Sequence, residues 1–206
     1  MLLIFDLDGT LMDTWDEIEY VFKRVFNRRG VPLDSDKLRM AVGLPLGKVI
    51  EKVYGREDRE LEDEIRKEFL GMNPRKIKLF SGLEDVFHLP AKKAVFTSKG
   101  RLGTYRDLDF LGIREFFDIV ITSDDVSNPK PDPEGIIKIL NALGERPEKT
   151  FMIGDTEMDI LAARNAGIKS IAVTWGNRSE MFLREFKPTY IVRDPKELVK
   201  ILHAHL

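Results

Sequence analysis

The 206-residue chain contains no cysteine, which excludes disulfides, thiolate metal sites and a cysteine nucleophile. It also lacks a hydrophobic run of membrane-spanning length. The apolar start, Met1 to Phe5, is cut off by Asp6 and is too short for a signal peptide or a span. Neither sign of charge is in excess. The 33 Lys and Arg residues face 35 Asp and Glu, a formal net charge of −2, so the overall balance gives no argument for nucleic acid or an acidic membrane surface as partner. Histidine is sparse, and His88, His203 and His205 are too scattered to suggest an imidazole metal centre. Repeats and low-complexity tracts are missing as well. What is left is a chain with 43% hydrophobic residues, enough for one core with a modest insertion. A soluble cytoplasmic protein is expected.

The apolar residues come in short runs. Leu2–Phe5, Ala94–Phe96, Ile119–Ile121, Phe151–Ile153 and Ile171–Val173 are apolar throughout, as strands covered on both faces are, and Tyr190–Val192 is a candidate sixth. Helical patterns lie between them: Leu102–Leu111, Glu134–Leu143 bounded by Pro133 and Gly144, and Met158–Ala166 closed by Gly167. This alternation predicts an α/β fold, a Rossmann-like parallel sheet flanked by helices. Residues 15–79 break the pattern. Trp15–Arg29, Asp36–Val42, Leu46–Tyr54 and Glu57–Phe69 read as helices, and no strand is evident among them. We expect a catalytic core of residues 1–14 and 80–206, with an all-helical domain, 15–79, inserted after the first strand.

Ligands of open parallel sheets bind beyond the carboxyl ends of the strands. Polar motifs follow four of the apolar runs here: Asp6-Leu7-Asp8-Gly9-Thr10, Thr97-Ser98-Lys99-Gly100, Lys130-Pro131-Asp132-Pro133 after a short loop, and Gly154-Asp155-Thr156-Glu157-Met158-Asp159. Each has an ordinary explanation by itself. Asp-Gly marks turns, Asp155 or Thr97 can cap a helix, and Lys130 can be a solvated loop charge. Those explanations do not account for four such motifs on one sheet edge. Together the residues suit phosphoryl transfer, in which cations and donors must offset the charge of the phosphate. Asp6 and Asp155 are oxygen ligands of the kind Mg²⁺ prefers, and Asp159, a helical turn further, can touch the metal directly or through water. Asp6 can attack phosphorus and form an aspartyl-phosphate. Asp8, two residues on, can protonate the leaving oxygen and later deprotonate the attacking water. Thr97 and Lys130 can hold the phosphoryl oxygens, and Lys99 and Arg101 lie near enough to meet an anionic substrate tail.

In these motifs the chain resembles the haloacid dehalogenase superfamily, in its phosphatase branch with a helical cap. The resemblance spans nearly the whole sequence. It implies Asp6 as nucleophile and metal ligand, Asp8 as acid/base that also gives its backbone carbonyl to the metal, Asp155 as the remaining protein ligand and Asp159 in support. It implies Thr97 and Lys130 as phosphate ligands, aided by backbone amides at Leu7 and Ser98, and residues 15–79 as a cap closing over the substrate. Gly43-Leu44-Pro45-Leu46 and Leu79-Phe80-Ser81-Gly82 resemble the phosphoglycolate phosphatase group, where asparagine usually stands at the position of Ser98. The expected activity is Mg²⁺-dependent hydrolysis of a small phosphorylated metabolite by a monomer or homodimer. A sugar-phosphate mutase of the beta-phosphoglucomutase kind would keep all four motifs and remains open. A 2-haloacid dehalogenase needs no magnesium, and dehalogenases of the superfamily lack an aspartate at the place of Asp8. Intact Asp6, Asp8, Lys130 and Asp155 argue against a non-catalytic phosphate- or protein-binding module.

Overall fold

The computed structural model describes residues 1–72 and 77–206; residues 73–76 of the expected inserted segment lie outside the described residues. A six-stranded, wholly parallel sheet forms the centre. Its strands are β1 (Leu2–Phe5), β4 (Lys92–Phe96), β5 (Ile119–Ile121), β6 (Thr150–Gly154), β7 (Lys169–Val173) and β8 (Tyr190–Val192), in the spatial order β5-β4-β1-β6-β7-β8. All six expected strands are present. The reason for their unbroken apolarity is visible in β1, where alternate side chains go to opposite faces. Leu3 and Phe5 enter one core cluster with Leu108, Leu198 and Leu202, while Leu2 and Ile4 enter another with Ile136, Ile139, Ala162 and Ala163.

Helices cover both faces. α5 (Glu84–Phe87), α6 (Arg101–Phe110) and α10 (Pro195–His203) contribute to the first cluster, and α7 (Glu134–Leu143) and α8 (Glu157–Asn165) to the second. α9 (Glu180–Glu185) adds Leu183 to a small cluster with Ile160 and Ala172. α5, α9 and α10 were not anticipated. Two are very short, and α10 is recognisable afterwards by the Asp194 carboxylate capping the amide of Glu197, with Pro195 in the first turn.

Between β1 and β4 stand α1 (Trp15–Arg28), α2 (Ser35–Ala41), α3 (Leu46–Tyr54) and α4 (Arg59–Gly71). They share their own core of Val21, Phe22, Val25, Phe26, Leu38, Val49, Ile50, Leu61 and Ile65. The expectation of no strand in 15–79 is corrected at one point. β2 (Met12–Asp13) pairs antiparallel with β3 (Lys78–Leu79), tying together the two chain segments that flank these helices. Two residues are too few to produce a period-2 signal. No described helix is long and apolar enough to cross a membrane.

Candidate active site

Strand order puts the site where it is. β1 lies between β4 and β6, so the chain runs outward from β1 in both directions and the carboxyl ends of these strands meet at the switch in order. Asp6 directly follows β1, Thr97 follows β4 and Asp155 follows β6. The loop after β5 carries Lys130, whose peptide with Pro131 is cis. All four of these side chains are at most 3% exposed, as is Asp159 in the first turn of α8.

A lysine and three carboxylates form the centre. Lys130 Nζ lies 3.0 Å from Asp6 Oδ1 and 2.7 Å from Asp159 Oδ1, and donates to the Phe96 carbonyl at 3.2 Å. The other oxygen of Asp159 accepts from the Thr156 amide and hydroxyl, at 3.1 and 2.7 Å, a capping box that starts α8. Asp155 is gripped from two distant segments. Thr10 Oγ1 donates to its Oδ1 at 3.0 Å, and the backbone and side-chain nitrogens of Asn177 donate to its Oδ2 at 2.7 and 2.9 Å. Two glycines make this approach possible. A Cβ on Gly9, where φ is +83°, or on Gly176 would collide with the Asp155 carboxylate.

These contacts set the charge states. Burial, opposed by Lys130 and reinforced by Asp159, Asp155 and Asp8, pushes the Asp6 carboxyl up to about 8. Burial and Asp159 raise Asp155 to about 6, against the hydrogen bonds from Asn177 and Thr10. Burial disfavours the Lys130 ammonium, but Asp159 and Asp6 outweigh it and hold it above the usual lysine range. Carboxyl oxygens of Asp6, Asp155 and Asp159 lie within 4.8 Å of one another. Three buried hard-oxygen donors, two of them sharing one lysine, fit a divalent cation, which would offset the burial and the mutual repulsion that raise Asp6 and Asp155.

The structure brings all the expected residues to this edge but gives some of them partners that the sequence did not suggest. Lys99 Nζ donates to Asp8 Oδ1 at 2.9 Å and also pairs with buried Asp107, so its ammonium is already engaged. Burial lowers its pKa, yet Asp8 and Asp107 outweigh burial and leave it raised. Arg101, the other candidate for an anionic tail, pairs with Asp125. The Ser98 hydroxyl donates to the Gly43 carbonyl at 2.7 Å and so links the helical segment to the sheet edge. Thr97 Oγ1 accepts the Lys99 amide at 3.2 Å.

Residues 174–178 escaped the sequence reading, although they also follow an apolar strand. Trp175 Nε1 donates to the Thr10 carbonyl at 3.0 Å, Asn177 fixes Asp155, and Arg178, 4% exposed, spans to the helical segment. From Arg178, Nε meets Glu157 Oε2 at 2.9 Å, while its two terminal nitrogens donate to the carbonyls of Arg39, Met40 and Val42 at 2.9, 2.9 and 3.0 Å. Arg39 and Met40 are in the last turn of α2, where carbonyls lack a partner within the helix, and Val42 directly follows it. A second bridge runs from Arg106 on α6 to Glu17 on α1, at 2.8 Å, and to the Phe69 carbonyl on α4.

Known proteins resemble this chain along nearly its whole length. A pyrophosphatase PpaX of Halalkalibacterium halodurans is 32% identical, covering 97% of this chain and 95% of its own. A phosphoglycolate phosphatase of Aquifex aeolicus is 30% identical over 100% of this chain and 98% of its own. Among solved structures, a haloacid dehalogenase-like family hydrolase from Streptococcus pneumoniae superposes with a TM-score of 0.83 at 28% identity, covering 97% of both chains. The sequence pattern of the haloacid dehalogenase-like hydrolases itself matches residues 3–173, from β1 through β7. With the acidic cluster at the ends of β1 and β6 and the lysine between its carboxylates inside that match, the chain belongs to the haloacid dehalogenase-like hydrolases.

Proposed function

We propose that this protein is a Mg²⁺-dependent phosphatase that hydrolyses small phosphomonoesters through an aspartyl-phosphate on Asp6. The observation that carries this reading is Asp6 itself: a buried carboxylate at the end of the central strand, 3.0 Å from Lys130 and crowded by Asp155 and Asp159. Such a group is poised to react once its charge is balanced. Asp6, Asp155 and the Asp8 backbone carbonyl would hold the Mg²⁺, with Asp159 in support. The ion would neutralise negative charge between nucleophile and phosphate.

In the first step an Asp6 oxygen bonds to phosphorus and the bond to the leaving-group oxygen breaks, with Asp8 giving that oxygen a proton. In the second, Asp8 takes a proton from water, whose oxygen attacks phosphorus and frees Asp6 and inorganic phosphate. Lys130 and the Thr97 hydroxyl hold the phosphoryl oxygens, with Ser98 and Lys99 at the same edge. Lys99 also orients Asp8 through their 2.9 Å bond. Residues 15–79 act as a cap on a core of 1–14 and 80–206, with the β2–β3 ribbon as its base and Arg178, Arg106 and Ser98 as its ties. A lid of this kind excludes water and favours small esters over folded phosphoproteins.

Phosphate release from acetyl phosphate, phosphoglycolate, pyrophosphate and sugar phosphates, with magnesium or with EDTA, tests the proposal. Release that needs magnesium and is lost in Asp6→Asn is expected. Undiminished turnover by Asp6→Asn, with deamidation excluded by mass, would remove Asp6 from the nucleophile role.

A further inference from the structure

Above Asp6 and Asp8 lies a cavity of about 250 Å³, below the roughly 300–1,000 Å³ of ordinary small-molecule sites. Its floor is the polar edge of the sheet. Its walls are mostly apolar. Ile18 and Phe22 come from α1, Leu44 from the segment before α3 and Phe69 from α4. Leu70 and Leu102 stand at the mouth, 45% and 71% exposed. Two exposed leucines on one cavity rim mark an apolar surface left open for a ligand.

The charges on the walls point the same way. Among the described lining residues the cations are Arg66, Lys99 and Arg101, and each already has an acidic partner. Arg66 Nη2 lies 2.5 Å from Glu62 Oε1, Arg101 pairs with Asp125, and Lys99 sits between Asp8 and Asp107. Glu62 and Asp124 line the cavity too. A leaving group with its own carboxylate or phosphate would lose water here and find no uncommitted cation among the described lining residues. An uncharged hydrocarbon body would bury its surface against the leucine and phenylalanine side chains.

We propose that the cavity selects phosphomonoesters whose leaving group is an uncharged alcohol with a compact hydrocarbon body, and disfavours anionic leaving groups such as glycolate or a second phosphate. This selectivity rests on the phosphatase reading above. It departs from the substrates that the names of the two relatives carry.

The test compares n-butyl phosphate, phosphoglycolate and pyrophosphate as substrates of the magnesium-loaded protein, with acetyl phosphate as a probe of the chemistry alone. The kcat/KM for n-butyl phosphate is expected to exceed that for phosphoglycolate by about tenfold or more, the effect of burying a few methylene groups. Equal or better turnover of phosphoglycolate or pyrophosphate overturns the proposal. Leu70→Lys, a change at a half-exposed position, is expected to narrow the ratio by adding a free cation at the mouth, and an unchanged ratio counts against the wall as the selector. Failure to hydrolyse acetyl phosphate sinks the phosphatase reading instead. Calorimetric titration of Asp6→Asn with the same two esters still decides the selectivity in that case. Tighter n-butyl phosphate supports it, and tighter phosphoglycolate, or no binding of n-butyl phosphate, refutes it.

Discussion

Replacing Lys130 with methionine keeps an unbranched side chain only one atom shorter and removes the only cation in contact with Asp6 and Asp159 among the described residues. The wild-type ammonium sits 3.0 and 2.7 Å from these carboxylates, all of them buried. Breaking a buried ion pair from one side costs about 3–5 kcal/mol, because the other charge is left uncompensated. For a chain of this size each kcal/mol lowers Tm by roughly 2–4 °C, so the metal-free variant should melt on the order of 6–20 °C below wild type near pH 8. The pH dependence follows from the sign of the shift. The folded-state pKa of Asp6, about 8, lies above the unfolded value of about 3.9, so the folded protein holds the extra proton and stability falls as pH rises between the two. Lys130 is what limits that rise, and without it the loss at pH 8 is greater. At pH 5.5 Asp6 is already protonated and at pH 8 it is half ionised, so Asp6 makes the deficit at pH 8 larger by only about 0.4 kcal/mol, RT ln 2. Melts followed by circular dichroism in EDTA at both pH values, then with magnesium, measure all of this. Magnesium should restore part of the lost Tm by supplying the missing positive charge. A fall of less than about 2 °C at pH 8 would refute the electrostatic account of the site.

Magnesium affinity should climb steeply from pH 5.5 to pH 8, since Asp155 at about 6 and Asp6 at about 8 carry protons that the ion must displace; calorimetry in buffers of different ionisation enthalpy should record proton release, and its absence contradicts the raised values. Gly176→Ala should lower stability and weaken magnesium binding, because its Cβ would collide with the Gly9 carbonyl as well as the Asp155 carboxylate; an unchanged magnesium titration would show that Asp155 is not held as described. Arg178→Ala should cost about 2–4 kcal/mol by stripping donors from Glu157, two α2 carbonyls and that of Val42 just beyond α2. It should also raise KM more than it lowers kcat as α2 and α3 loosen over the cavity, while an unaltered KM would separate the bridge from substrate binding.

The order of elements was legible because both surfaces of each central strand are buried, which writes itself into the chain as an unbroken apolar run. Asp6, Thr97, Asp155 and, after a short loop, Lys130 were legible for a related reason. A polar residue just after such a run must lie at the carboxyl edge of the sheet. That same rule would have flagged Trp175-Gly176-Asn177 after Val173, but an amide next to a tryptophan carries less chemical meaning than an aspartate pair. Tertiary structure alone decided who touches whom. Thr10 and Asn177 lie 145 and 22 residues from Asp155, Arg178 reaches carbonyls of the same kind every helix end offers, and Lys99 is held between Asp8 and Asp107, the latter on α6. Sequence determines which groups arrive at the sheet edge, since burial and periodicity act along the chain. Which of them remain free for a ligand depends on pairings across the fold, because charges neutralise one another through space.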